Sequence, residues 1–203
     1  DDRVCAFASF KPLLELGIPA KTAVCVLADK EEVGSNGSTG MHSKYFANLI
    51  GTMIELQKGS CSGFDVDKAL AKSALLSSDV AAAFDPNHPN VAEANNTSYL
   101  GKGVTLIKYT GRGGKGGSND ANAEFIGEVR KCLNDAGVIW QTSELGKVDQ
   151  GGGGTIAYIL ANADMDVIDV GVPVLSMHAP FEVVSKADVY TAHKAFVAFY
   201  SFD

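Results

Sequence analysis

Val24-Cys25-Val26-Leu27-Ala28-Asp29-Lys30-Glu31-Glu32-Val33-Gly34-Ser35 is an apolar run that stops at two adjacent carboxylates and a Gly-Ser turn. β-Branched and small apolar residues followed by charge and glycine predict a buried strand. It would deliver Glu31 and Glu32 to the carboxyl edge of a sheet, where open α/β sheets bind their ligands. Two carboxylates held near one cavity repel each other, so one takes up a proton or a cation stabilises both. A metal ion is the simplest compensation. A solvated charged turn is the plainer reading of the same residues, and the rest of the chain has to decide between the two.

Outward from that stretch the chain alternates. Val4, Phe7, Ala8, Leu13, Leu14 and Leu16 predict a helix ending at Gly17, followed by the strand Thr22 to Ala28. Helices are predicted over Met41 to Leu56, Asp65 to Ala71, Ala121 to Asn134, Thr155 to Ala163 and Asp188 to Phe199. Strands are predicted over Ser73 to Asp79, Val104 to Tyr109, Val138 to Thr142, Met165 to Val170 and Val174 to Met177. Such alternation implies a layered α/β sandwich on a largely parallel sheet. The Gly-rich segments Gly111 to Gly117 and Gly151 to Thr155 interrupt it. The first lacks the order of a phosphate loop, because glycine follows Lys115, and reads as a mobile loop. The second precedes a helix, so its backbone N–H groups can hold an anionic or carbonyl group.

With 203 residues, 46% of them hydrophobic, the chain can bury one substantial core. Its net charge of -7 argues against a nucleic-acid partner, which would need clustered Lys and Arg. No apolar stretch approaches the roughly 20 residues that span a bilayer, so no membrane partner is expected and the protein is expected in the cytoplasm. Cys5, Cys25, Cys61 and Cys132 are widely separated and read as reduced residues, not as a disulfide frame or zinc ligands. The opening Asp1-Asp2-Arg3, running straight into a helix without Met or a leading strand, reads as an interior position of a longer polypeptide.

Several acids and one histidine fall at predicted strand ends: Asp1, Glu31 and Glu32, Asp79 after Leu75-Leu76-Ser77-Ser78, and His178 after Val174-Leu175-Ser176-Met177. A parallel sheet aligns such ends, so residues far apart in sequence can converge. Carboxylates and imidazole suit first-row metals, and a carboxylate shared between two ions is a common element of hydrolytic sites. Taken singly, each acid is equally a cap or turn residue, and the histidine equally a packing residue.

Asp1-Asp2-Arg3-Val4-Cys5, Asp29 to Ser35, Ser77-Ser78-Asp79-Val80 with Asp85-Pro86-Asn87, and Ser176-Met177-His178 stand in the order seen in the M18 aminopeptidases. The chain resembles that family, aspartyl aminopeptidase and its relatives, over its whole length. The resemblance implies a phosphorylase/hydrolase-like three-layer α/β sandwich with two bound zinc ions, acting on the amino-terminal residue of peptides. Asp1 would bridge the metals beside a cis peptide to Asp2; Glu32 and His178 would complete one metal site, and Asp79 would bind the other. Glu31 would be the general base that takes a proton from a metal-bound water.

Lys108 matches a lysine that reads acidic substrate side chains in aspartyl aminopeptidases. A buried ammonium beside an acid is a sound selector, and an ordinary exposed strand-end lysine is the alternative. Gly153, Gly154 and Thr155 would contact the substrate through backbone groups. Neutral substrates stay open, because Gly111 to Ser118 and Ala179 to Val183 differ from the eukaryotic aspartyl enzymes. The family's catalytic domain is split. Its first half supplies another histidine for the metal held by Asp79, alongside a separate dimerisation domain, and family members assemble into homo-oligomers as large as dodecamers. By that resemblance residues 1–203 form the carboxyl-terminal part of the catalytic domain. Two other readings are a degenerate α/β assembly domain without activity and a different co-catalytic zinc hydrolase.

Overall fold

The computed structural model describes residues 1–113, 115–147, 150 and 152–202. Asp2 starts the first helix: its carboxylate accepts the Cys5 N–H at 3.1 Å, satisfying a donor that the helix itself cannot. Helix α1 then runs Arg3–Glu15. Helix α2, Tyr45–Lys58, stops at Gly59, whose φ of 80° suits a residue without Cβ. Helix α3, Gly63–Leu70, opens on a reciprocal Ser62–Asp65 capping box.

Strands β1, Ala74–Ser78, and β2, Ala81–Ala82, follow, then β3, Val104–Ile107, β4, Tyr109–Arg112, and β5, Gly116–Asp120. Asn122 caps α4, Ala123–Asp135. The chain closes with β6, Trp140–Thr142, α5, Ala157–Ala161, β7, Asp166–Gly171, β8, Pro173–Leu175, β9, Val183–Val184, and α6, Lys186–Tyr200.

The central sheet has the order β1-β7-β3-β6. β1 runs parallel to β7 and β3 parallel to β6, while β3 and β7 are antiparallel, so the sheet is mixed. Alternation along the strands sorts their side chains to two faces. Leu76, Val104, Leu106, Ile168 and Val170 pack on one side against Cys5 and Ala8 of α1, Phe125 and Val129 of α4, and Phe196 of α6. Leu75 and Val167 face the other way, against Phe46 of α2 and Ala157 and Leu160 of α5. The result is the expected three-layer α/β sandwich. β2, β8 and β9 form a second small sheet in which β2 is parallel to β8 and β8 antiparallel to β9.

Two expectations are corrected here. Thr22 to Ala28 makes no strand ladder; one parallel bridge, Asp29 to Gly40, follows it. Among the described residues no strand pairs with it, and Val26 and Leu27 stay exposed. Gly111 to Gly117, read as a mobile loop, instead lies in a hairpin of β4 and β5 with Tyr109 paired to Asp120 and a bulge between Thr110 and Arg112. The Gly111 N–H also donates to the Gly153 carbonyl at 2.8 Å, tying the hairpin to the second Gly-rich segment. Gly114 and Gly151 lie outside the described residues.

Candidate metal centre

Four segments bring acids and a histidine together. Asp1 precedes the α1 cap, and the Asp1–Asp2 peptide is cis. Asp79 leaves the end of β1, where its backbone passes Gly171 of β7 so closely that a Cβ there would lie 1.5 Å from the Asp79 carbonyl oxygen. His178 lies beyond β8, with φ at 65°. Glu31 and Glu32 sit on a single 3-10 turn, Glu31–Val33, bracketed by the left-handed residues Lys30 and Gly34. The turn is closed by the Ser35 N–H on the Lys30 carbonyl at 2.7 Å.

His178 Nε2 lies 2.8 Å from an Asp1 carboxylate oxygen and 3.1 Å from Glu32 Oε1. Asp1, Glu32 and His178 each offer one ligand atom, and these atoms lie within 4.8 Å of one another. Asp1, Asp2 and Asp79 form a second such group, so Asp1 is common to both. Glu31 belongs to neither group. Its carboxyl is half-buried and raised above the usual carboxylate range by burial and then by the Glu32 charge, against the pull of His178.

The second group is more strongly perturbed. Asp79 is pushed up to about 8 by burial, with the charges of Asp2 and Glu31 adding to it. Asp2 is raised to about 6, again chiefly by burial, although its bonds to Cys5 oppose the rise. Crowded carboxylates whose charges are this poorly compensated are what a divalent cation relieves, and carboxylate oxygen with imidazole nitrogen is a donor set that zinc accepts. The residues therefore fit the metal that the sequence suggested.

The remaining sequence candidates behave differently. Lys108 is not the buried selector expected: it pairs with Asp120 across the start of the β4–β5 hairpin, and both side chains are more than half exposed. A strand that ends at Ile107 releases the next residue to the surface, where the facing Asp120 captures it. Thr155 is buried, and its hydroxyl donates to Asp169 at 2.6 Å, which leaves only its backbone for a ligand. The Gly153 carbonyl is taken by Gly111, and Gly154 stands against the Gly117 carbonyl.

Sequence reasoning missed three acids. Asp2 enters the second group; an aspartate immediately before an apolar helix was a legible cap signal. Asp169 is a wholly buried carboxylate in the middle of β7, and an acid inside an apolar run was its signal. Glu182 accepts the His178 N–H at 2.7 Å and had no sequence signal at all.

A carboxylate and imidazole cluster at one edge of a three-layer α/β sandwich is the kind of ligand set that α/β metalloproteins present to a metal ion. The profile of the family described as aminopeptidase I zinc metalloprotease (M18) matches residues 1–200, and the chain belongs to that family. An M18 family aminopeptidase 1 of Clostridium acetobutylicum is 55% identical over 202 residues, 98% of this chain and 43% of that protein. The crystal structure of an M18 family aminopeptidase from Thermotoga maritima superposes with a TM-score of 0.96 at 43% identity, covering 100% of this chain and 45% of that one. The fold is shared as well with a structure titled as the S. cerevisiae mApe1 dodecamer, at 23% identity and a TM-score of 0.75, over 98% of this chain and 44% of that one. The chain thus spans less than half the length of these relatives.

Proposed function

We propose that residues 1–203 carry most of the catalytic centre of a zinc-dependent aminopeptidase that removes amino-terminal residues from peptides. The observation that carries this reading is the place of Glu31, a half-buried acid outside both ligand groups that feels the Glu32 charge and whose own charge helps to raise Asp79. In it Asp1, Glu32 and His178 would hold one zinc ion, and Asp1 and Asp79, with Asp2 beside them, would hold a second. The second group contains no histidine among the described residues, and its completion falls to a residue outside 1–203. Zinc, when bound, supplies a Lewis acid that polarises the scissile carbonyl and brings the pKa of a water near 7.

The chain's own residues do the rest. Glu31, raised above the usual carboxylate range by burial and by Glu32, accepts a proton from the attacking water on a carboxylate oxygen and returns it to the leaving amine nitrogen. The acidic surroundings hold the substrate's α-ammonium, which restricts cleavage to the first peptide bond. The backbone of Gly153, Gly154 and Thr155 lines the substrate. A substrate carboxylate would compete with Asp120 for Lys108, which favours neutral amino-terminal residues over acidic ones. The reading extends to a cytoplasmic homo-oligomer, up to the dodecamer that the yeast structure's title names.

The test uses the protein at the full length of its relatives. Glu31→Gln should retain its zinc by elemental analysis and lose about 100-fold to 10,000-fold in kcat, the usual range for a general base. Near-normal turnover would sink the assignment. Assay against peptides beginning with Asp, Glu and Leu decides the side-chain preference, and no cleavage of any of them, with zinc bound, returns the chain to the assembly-domain reading.

A further inference from the structure

We propose that Glu182 is the positioning residue of the metal centre, a single carboxylate that ties the backbone of Asp1 to the backbone of His178. The proposal rests on the reading that Asp1, Glu32 and His178 hold a metal ion. One carboxylate oxygen, Oε1, accepts the His178 N–H at 2.7 Å, and the other, Oε2, accepts from the Asp1 nitrogen. Both oxygens are thus engaged, by residues from opposite ends of the chain. The Asp1 nitrogen, an ammonium in this chain, is still a donor as a peptide N–H, with one hydrogen in place of three.

The need for such a tie comes from His178 itself. Its φ of 65°, with Ser176 at 59°, places two non-glycine residues in the left-handed region within one turn. Each such residue is held outside its preferred backbone region and persists only where its surroundings over-determine it. The turn's own closure, Ala179 N–H to the Ser176 carbonyl at 3.0 Å, does not engage the His178 nitrogen; Glu182 does.

Glu182 is well placed to act as the fixed point. It directly precedes β9, which is locked antiparallel to β8 through Leu175 with Val183 and Val174 with Val184. The segment from Ser176 to Glu182 is therefore a closed loop whose two ends are pinned by one ladder, with His178 in the loop and Glu182 at its return. The same carboxylate then reaches across to Asp1, whose side chain meets His178 Nε2 at 2.8 Å. Glu182 offers no atom to either ligand group. It acts through the residues that do, as outer-shell carboxylates do when they orient metal ligands.

The experiment compares Glu182→Gln and Glu182→Ala with the wild type at the full length of the relatives, alongside Glu32→Ala and His178→Ala. Gln is nearly isosteric, keeps one acceptor and turns an amide N–H₂ towards the other donor, so it breaks one of the two ties. The readouts are zinc affinity by chelator competition, kcat and KM at limiting and at excess zinc, and the circular dichroism melting curve. Glu182→Gln should keep a native melting curve, bind zinc about 10-fold to 100-fold more weakly, and lose kcat at limiting zinc with KM changed little. Excess zinc should restore most of that kcat, which a merely structural lesion would not allow.

Wild-type zinc affinity in folded Glu182→Gln and Glu182→Ala proteins overturns the proposal, and so does outright unfolding of Glu182→Gln. The controls separate the two levels. If Glu32→Ala and His178→Ala lose zinc while the Glu182 variants hold it at full affinity, only the positioning role fails. If the wild type binds no zinc, or those two variants keep it, the metal reading fails and takes the proposal with it.

Discussion

Gly171 decides where Asp79 can stand. The last residue of β7 lies against the backbone that leaves β1, and a Cβ there would lie 1.5 Å from the Asp79 carbonyl oxygen and 2.7 Å from its carbon. No side-chain rotation relieves a clash with backbone, so the strands would have to part and Asp79 would move away from Asp1 and Asp2. Gly171→Ala is expected to cost about 3 kcal/mol or more, at the upper end for overpacking, and to weaken zinc binding in the same protein. A urea unfolding midpoint within experimental error of the wild type would refute this. At this scale the sequence was partly legible. Glu32, Asp79 and His178 were found because each follows an apolar run, and Asp1 because the opening motif Asp1-Asp2-Arg3-Val4-Cys5 matches the family resemblance. Glu182 was not, because its partners lie 4 and 181 positions away and nothing in its own neighbourhood marks it.

Among the elements, β7 carries the most consequential choice. Its alternation sends Ile168 and Val170 to one core and leaves Asp169 on the other face, wholly buried, with Thr155 Oγ1 at 2.6 Å and Thr110 Oγ1 at 3.4 Å. Burial raises this carboxyl to about 6, opposed by the hydrogen bonds of Thr155 and its neighbours. A carboxyl raised on folding binds its proton more tightly in the native state, so its contribution is complete below pH 4 and is lost as pH rises through about 6. The shift from 3.8 to about 6 corresponds to about 3 kcal/mol. Asp169→Asn keeps an acceptor for Thr155 and removes the titration. Melting temperatures measured from pH 4 to pH 8 should therefore fall less steeply in the variant, and identical slopes would count against the assignment. Element identity was largely legible, since periodicity and caps are local. Pairing was not: Thr22 to Ala28 has a strand's composition without a partner strand among the described residues, while the glycines of β4 and β5 concealed a hairpin that the bond to Gly153 ties in place.

For the molecule as a whole, the outward face of α1 is the outstanding feature. The helix buries Cys5 and Ala8 against the sheet and α6, yet Phe7, Leu14 and, just beyond it, Ile18 stand exposed, the last completely. Val26 and Leu27 add further exposed apolar surface. Exposed apolar side chains in such number bind partners or dyes and promote self-association. Residues 1–203 produced alone are expected to bind anilinonaphthalene sulfonate and to elute from gel filtration at a size that grows with concentration. Leu14→Lys with Ile18→Lys should reduce both effects. A dye-silent monomer at all concentrations would contradict this. The sequence by itself determined most of the helices, the strands β1, β3, β6, β7 and β8, and that Asp79 and His178 follow β1 and β8, because turn chemistry and hydrophobic periodicity are set within a few residues. Only the tertiary structure decided that Asp1 is common to two ligand groups, that Asp2 joins the second, that Lys108 is already paired with Asp120, and that Glu182 joins the two ends of the centre. Those facts depend on strand order, on the passage of β1 past Gly171 and on the β8–β9 ladder, and distances of a few ångströms between residues remote in sequence are fixed by how elements pack.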